Sequence, residues 1–210
     1  MGFSINKNGV MKAGAFQELY VLPDDHSKWL CIFYHNNKSG TVLFKSVAEA
    51  RHCSEVDKFS RLDMLDQLRG TDGKYEFLLR YPIDSSDYNR WKQNDNPCSI
   101  KTAESAAGAA VPGYSAIHID WNASYWGGLE REWADANKAG TASYLCGSTG
   151  HSDWFYAIGA FEKLQSGIPK WSDSTTSIVE LYVRYDTLAN SFKARMENSG
   201  LIITSEFIEF

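Results

Sequence analysis

Nothing in the 210-residue sequence approaches an unbroken apolar run of the ~20 residues that a bilayer-spanning helix requires. Positive charge is in deficit: 21 Lys and Arg stand against 26 Asp and Glu, for a formal net charge of −5. No basic stripe runs along the chain. A nucleic-acid partner is therefore not expected, because binding a phosphate backbone needs clustered positive charge. Proline is scarce, at five residues, and the 16 glycines follow no period, which excludes a collagen-like fibre. The cysteines are few, at positions 31, 53, 98 and 146, and none forms a C-x-x-C metal knuckle. Four cysteines allow two disulfides in any of three connectivities. Buried thiols are the other reading, since Cys31 lies inside the apolar run Trp29-Leu-Cys-Ile-Phe-Tyr34. The first nine residues show no charged segment followed by an apolar one, and Asn6 stands where a myristoylation pattern has Ser or Thr. Two Asn-x-Ser sequons, at Asn37 and Asn122, matter only on a secretory route.

What is abundant is aromatic side chains: seven Trp, eleven Tyr and eleven Phe. With 43% hydrophobic residues the chain has the composition of a folded domain, not of a disordered tail. At this length folding hides roughly 70% of the surface the open chain exposes, so neither metal nor disulfide is required for stability. Strands are expected at Trp29–Tyr34, Thr41–Phe44, Tyr75–Tyr81, Ala116–Trp121, Trp154–Phe161, Ile178–Tyr185 and Leu201–Ile208. The polar segment 35–40 makes a hairpin between the first two. In the run from Ile178, period two places Val179, Leu181, Val183 and Tyr185 on the buried face. Ile178, Glu180, Tyr182 and Arg184 fall on the other. Helices are fewer. Ser46-Val-Ala-Glu49 is a capping box opening a short helix. Val56, Phe59, Leu62, Leu65 and Leu68 form an apolar stripe over 55–69, ended by Gly70. Leu188, Phe192 and Met196 mark a last helix before Gly200. The expected class is α+β: one strand-dominated domain over 1–210, with an antiparallel sheet and segregated helices. Its core spans 29–185, and 186–210 form a C-terminal helix-plus-strand extension. The small-residue stretch Ser99–Gly113 reads as a surface loop.

Several constellations bear on chemistry. Gly147-Ser-Thr-Gly-His151 brings a Ser near a His but lacks the strand–turn–helix setting of a nucleophile elbow. His118 with Asp120, and His151 with Asp153, have the i, i+2 spacing that puts two ligands on one strand face. Asp84 and Asp87, and Asn94, Asp95 and Asn96, offer the hard oxygens that calcium takes, in turns that favour Asn and Asp anyway. Calcium is the one cofactor these residues suggest. Glu130 and Glu132, after Trp126-Gly-Gly-Leu129, are a pair of acids of the kind glycoside hydrolysis uses. The densest clusters are Trp91-Lys-Gln-Asn-Asp-Asn-Pro97 and Trp121-Asn-Ala-Ser-Tyr-Trp-Gly-Gly128. Sugar C–H faces pack on aromatic rings while fixed amides and carboxylates bond the hydroxyls. Trp91, Asn94, Asp95, Asn96, Tyr125 and Trp126 are thus the expected ligand-binding residues.

The segments Trp29–Tyr34, Phe59–Asp66, Tyr75–Pro82, Tyr88–Pro97, Trp126–Leu129, Gly150-His-Ser-Asp-Trp-Phe-Tyr-Ala-Ile-Gly159 and Val179–Arg184, in this order, resemble a poorly characterised extracellular domain of marine invertebrate proteins. That domain is distantly similar to fibrinogen-related and intelectin-type lectin domains. The resemblance covers about 29–184 and implies a secreted, lectin-like protein, against a cytoplasmic alternative. The Asp-x-Asp calcium motif and ligand-site cysteine pair of those lectins have no clear counterpart here, so no ligand residue carries over. The expectation is a non-enzymatic recognition protein binding a glycan or small molecule, self-associating because multivalency raises avidity. The C-terminal strand 201–210 is a candidate for pairing with a neighbour's sheet edge. The alternatives are a structural, storage or pigment-binding protein with an aromatic-lined cavity, and a glycoside or ester hydrolase using Glu130, Glu132, His118 or His151.

Overall fold

A computed structural model describes residues 3–5, 11–13, 17–82, 88–99, 110–120, 126–131, 143–148, 158–161, 168–169, 175–198 and 202–203. In chain order the elements are β1 (Phe3–Ile5), β2 (Met11–Ala13), β3 (Gln17–Glu18), β4 (Tyr20–Val21), β5 (Lys28–Asn36), α1 (Val47–Arg51), β6 (His52–Ser54), β7 (Lys58–Arg61) and a 3-10 turn (Leu62–Gln67). There follow β8 (Tyr75–Arg80), β9 (Tyr88–Gln93), β10 (Ser115–Ile119), β11 (Trp126–Arg131), β12 (Ser143–Ser148), β13 (Ile158–Ala160), β14 (Ile168–Pro169), β15 (Thr175–Thr176), β16 (Ile178–Arg184), α2 (Asn190–Asn198) and β17 (Ile202–Ile203). The fold is α+β, strand-dominated with few helices.

The two most apolar strand segments meet at the centre. β5 and β16 pair antiparallel from Ile178↔Asn36 to Arg184↔Trp29. Around them the main sheet runs β10-β9-β8-β16-β5-β7-β6, with β4 also on β5. Every pairing in it is antiparallel. A bulge between β5 and β16 leaves Ile32 as the extra residue between Cys31 and Phe33. That is why two consecutive residues, Ile32 and Phe33, both reach the same apolar core. A second sheet, β11-β12-β13, packs on this face. Leu79, Leu181, Phe33, Phe77 and Val183 from the main sheet meet Trp126, Leu129, Leu145 and Ile158 there. Phe192 and Met196 of α2 and Leu62 and Leu65 of the 3-10 turn belong to the same core.

The helix at Ser46 forms as its capping box predicts: the Ser46 hydroxyl accepts the Glu49 N–H at 3.2 Å. Glu49 bonds the N–H of Lys45, one residue before the cap. The predicted helix over 55–69 is not formed. Its first part is β7, where Phe59 pairs with Tyr34, and only Leu62–Gln67 turn helically, as a 3-10 segment. The apolar stripe is real, but partners on β5 outweigh a helical propensity that is weak at best. Thr41–Phe44 is not a strand either. There the His35 ring bonds Val42 O and Asn37 Oδ1 accepts the Val42 N–H, so side chains take the bonds a ladder would have used. β9, β11 and β12 are strands where loop-like composition masked them. Residues 154–157 and most of 201–208 lie outside the described residues.

Candidate functional site

Of the expected ligand-binding residues, the structure brings Trp91 and Trp126 together, but inside the core. Their rings meet edge to face with centroids 4.7 Å apart. They are 0% and 3% exposed, so neither indole is a platform for a ligand. The approach is tight: a Cβ on Gly147 would collide with the Trp126 ring. The nearby amide that matters is Gln93, which the sequence reading passed over. Its Oε1 accepts from Trp91 Nε1 at 2.9 Å and from the Leu129 N–H at 3.0 Å. Its Nε2 donates to the carbonyls of Asp95 at 2.9 Å and Leu129 at 3.0 Å. The side-chain amide thus imitates a peptide group and ties β9 to β11, with every donor and acceptor satisfied.

Asn96 is also committed internally, donating to Asp66 Oδ1 and accepting from the Cys98 N–H. Asn94 and Asp95 are exposed, with the Asn94 side chain held hard against Gly113. Tyr125, Glu132, His151, Asp153 and Asp84–Asp87 lie outside the described residues. His118 stands on β10 with its Nε2 2.8 Å from Asp120 Oδ2 and its ring stacked on Tyr88. Glu130 is buried on β11, and burial pushes its carboxyl up to about 7. Asn37 is buried with its amide turned inward, so its sequon is closed in the folded chain. The four cysteines form no disulfide: Cys31, Cys53 and Cys146 are buried and Cys98 is half-buried.

Glu49, Cys53 and Glu55 gather their ligand atoms within 4.8 Å of one another. The cation among them is the chain's own. Lys58 Nζ bonds Glu49 Oε1 and lies 3.2 Å from Glu55 Oε2 and 3.3 Å from Leu43 O. Burial alone would depress the Lys58 ammonium, but the two carboxylates more than reverse that. This is a structural ion cluster built around Lys58.

The unexpected feature is the other face of the main sheet. The sequence assigns Glu180, Tyr182 and Arg184 to the exposed side of β16. They do share one face, but Glu180 is 1% exposed and Tyr182 is equally buried. Cross-strand register lays out three rows there. One runs Tyr88, Arg80, Glu180, Tyr34, Phe59. The next runs His118, Arg90, Leu78, Tyr182, Cys31. In the third, Lys92 pairs with Glu76, and Arg184 with Trp29.

Charges in this layer are matched to differing degrees. Glu76 accepts from Arg90 Nε at 2.8 Å and Arg184 Nη1 at 3.0 Å. Arg90 also donates to Asp25 Oδ2 at 2.6 Å. Burial works against the Asp25 anion, yet bonds from Ser27 and Arg90 hold its carboxyl well below the usual carboxylate range. Glu180 is less well served. Its Oε2 accepts the Tyr182 hydroxyl at 2.8 Å, and Arg80 Nη1 stands off at 3.5 Å. Among the described residues, Glu180 Oε1 and Arg80 Nε are both buried without a hydrogen-bond partner. Burial raises the Glu180 carboxyl above its ordinary value, opposed by Arg80 and the Tyr182 hydroxyl. The Tyr20 ring lies 4.4 Å from the Arg80 guanidinium and 5.3 Å from the Tyr182 ring. An open acceptor and an open donor on one ion pair, with a ring on the guanidinium, offer a ligand's polar group two bonds and one ring contact.

Comparison with protein-family models, curated proteins and solved structures finds no match.

Proposed function

We propose that the chain is a non-enzymatic recognition module whose ligand is a carbohydrate or another small hydroxyl-rich molecule, bound on the Glu180 face of the main sheet. The supporting observation is that the Glu180–Arg80 pair, with Nη1 3.5 Å from Oε2, leaves Glu180 Oε1 and Arg80 Nε buried without a hydrogen-bond partner among the described residues, while the Tyr20 ring covers the Arg80 guanidinium. This is the mixture of ring and fixed polar groups that the sequence located at Trp91 and Trp126, realised with other residues. A binding site of this kind needs few polar groups, provided they are placed rigidly. The exposed Asn94 and Asp95 add polar contacts outside it. Self-association multiplies single weak sites, and secretion accords with the extracellular domain the sequence resembles.

The test is a saccharide panel read by ligand-observed NMR, with calcium and with chelator. Binding is expected in both, because Arg80 supplies the positive charge facing Glu180. Tyr20→Ala, which removes a half-exposed ring, should weaken it roughly tenfold, the scale of one lost ring contact. No saccharide signal in either condition sinks the reading. Light scattering on the same samples measures the oligomer.

A second reading rests on Glu130. A carboxyl pushed up to about 7 by burial is in the range of a general acid. Turnover of a glycoside panel, abolished in Glu130→Gln, would replace recognition by hydrolysis.

A further inference from the structure

The turn between β4 and β5 exposes Pro23–His26 but buries Leu22 and Ser27 at its two ends. It folds back across the second face. β5 and β9 are three strand spacings apart, roughly 14 Å, yet Asp24 and Asp25 in this turn reach β9. Asp24 Oδ2 accepts the Tyr88 hydroxyl at 2.8 Å, and Asp25 Oδ2 accepts from Arg90 at 2.6 Å. The turn is a self-contained unit. Leu22 N–H donates to Ser27 O and His26 N–H to Leu22 O, both at 2.9 Å. His26 has φ of 55°, a left-handed conformation that costs a residue with a side chain. Leu22 packs into the cluster that holds Cys31, Leu78, Tyr88 and Tyr182, with Tyr20 against its rim. β4 itself holds β5 by two residue pairs only, Tyr20↔Trp29 and Val21↔Lys28. A strained, internally bonded turn is therefore fixed over the sheet by two acidic side chains, one leucine and the buried Ser27 hydroxyl, which accepts from Trp29 Nε1 at 2.7 Å.

We propose that Leu22–Ser27 is a latched flap, and that lifting it with Tyr20 admits a ligand hydroxyl to Glu180 Oε1 and Arg80 Nε. One hydroxyl can donate to the first and accept from the second at once. Because both atoms are buried, the ligand reaches them only when the latches open, and the flap closes again over it with Tyr20 in contact. The ligand half rests on the recognition reading above; the flap half does not.

Cys31 reports on the flap, since its thiol is buried in the same cluster as Leu22. Native-state thiol labelling of the full chain, mapped by peptide mass spectrometry, should show Cys31 reacting roughly tenfold faster or more in Asp24→Ala/Asp25→Ala. Cys53 and Cys146 lie outside that cluster and should keep their rates. Tyr88→Phe, which removes one latch and no bulk, should give a smaller rise in the same direction. Unchanged Cys31 labelling in both variants, or a parallel rise at all three cysteines, overturns the flap. In a second arm, methyl glycosides are added to the wild-type chain and to Arg80→Lys, which lacks Nε. Slower Cys31 labelling in the wild type, absent in Arg80→Lys, supports the hydroxyl site. Gated labelling that no glycoside slows overturns that site while leaving the flap standing. Glycoside binding by NMR with no protection of Cys31 places the ligand elsewhere and also overturns it.

Discussion

At the scale of single residues, burial of polar groups decides more than their identity. His35 shows the energetic side. Its Nε2 donates to Val42 O at 2.8 Å, and burial holds the imidazole neutral down to about 4. The unfolded chain takes up that proton near 6.5, so it binds more protons than the native chain between those values. Stability must therefore fall as pH drops through this window, by up to about 3 kcal/mol for this one group. Glu130 acts with the opposite sign. Native Glu130 keeps its proton to about 7 while the unfolded carboxyl loses it near 4.5, so its contribution declines as pH rises between the two. The two slopes oppose each other in the wild type. Comparing urea unfolding of wild type and His35→Gln at pH 7 and pH 4.5 separates them. The variant should lose less stability on acidification, and equal losses would refute the assignment. None of this is visible in sequence, where His35 sits in a polar stretch that reads as a turn.

At the scale of elements, one side chain joins the two sheets. Gln93 at the end of β9 supplies both bonds to Leu129 on β11 and orients Trp91 against Trp126. Gln93→Leu keeps the volume but leaves the Leu129 N–H and C=O and the Trp91 Nε1 without it. It should cost about 2–4 kcal/mol in urea denaturation, with loss of near-ultraviolet dichroism from the tryptophan pair. Gln93→Glu retains an acceptor but not the donor, and buries a carboxylate. It should be less destabilising at pH 4 than at pH 7, because protonation restores a donor and removes the charge. β10 shows how an edge is managed. A bulge between Ala116 and His118 puts Ile117 out to solvent, 45% exposed, and bends the strand away from flat pairing. Clean alternation in Ala116–Trp121 identified the strand, but a bulge needs a partner to exist and leaves no period of its own.

At the scale of the whole molecule, the central strands are the most distant in sequence. β16 pairs with β5 on one side and β8 on the other, linking residues near both ends of the chain. Such non-local pairing predicts slow folding, in milliseconds to seconds. It also predicts a stability gradient. Amides of Leu79, Leu181 and Val183, inside this triple, should exchange slowest, and those of β10 and β6 at the sheet edges fastest. Hydrogen exchange with uniform protection across the sheet would refute it. Sequence by itself determined the α+β class, the strands at β5, β8, β10 and β16, the Ser46 cap, the last helix and the deficit of positive charge. It did so because period, capping chemistry and composition are local properties. Tertiary structure alone decided that β16 is buried on both faces, that 58–61 pair as strand, that Trp91 and Trp126 face each other in the interior, and that Tyr20 packs on Arg80 and Tyr182. Period two states which residues share a face, but what covers that face is set by segments far away in the chain.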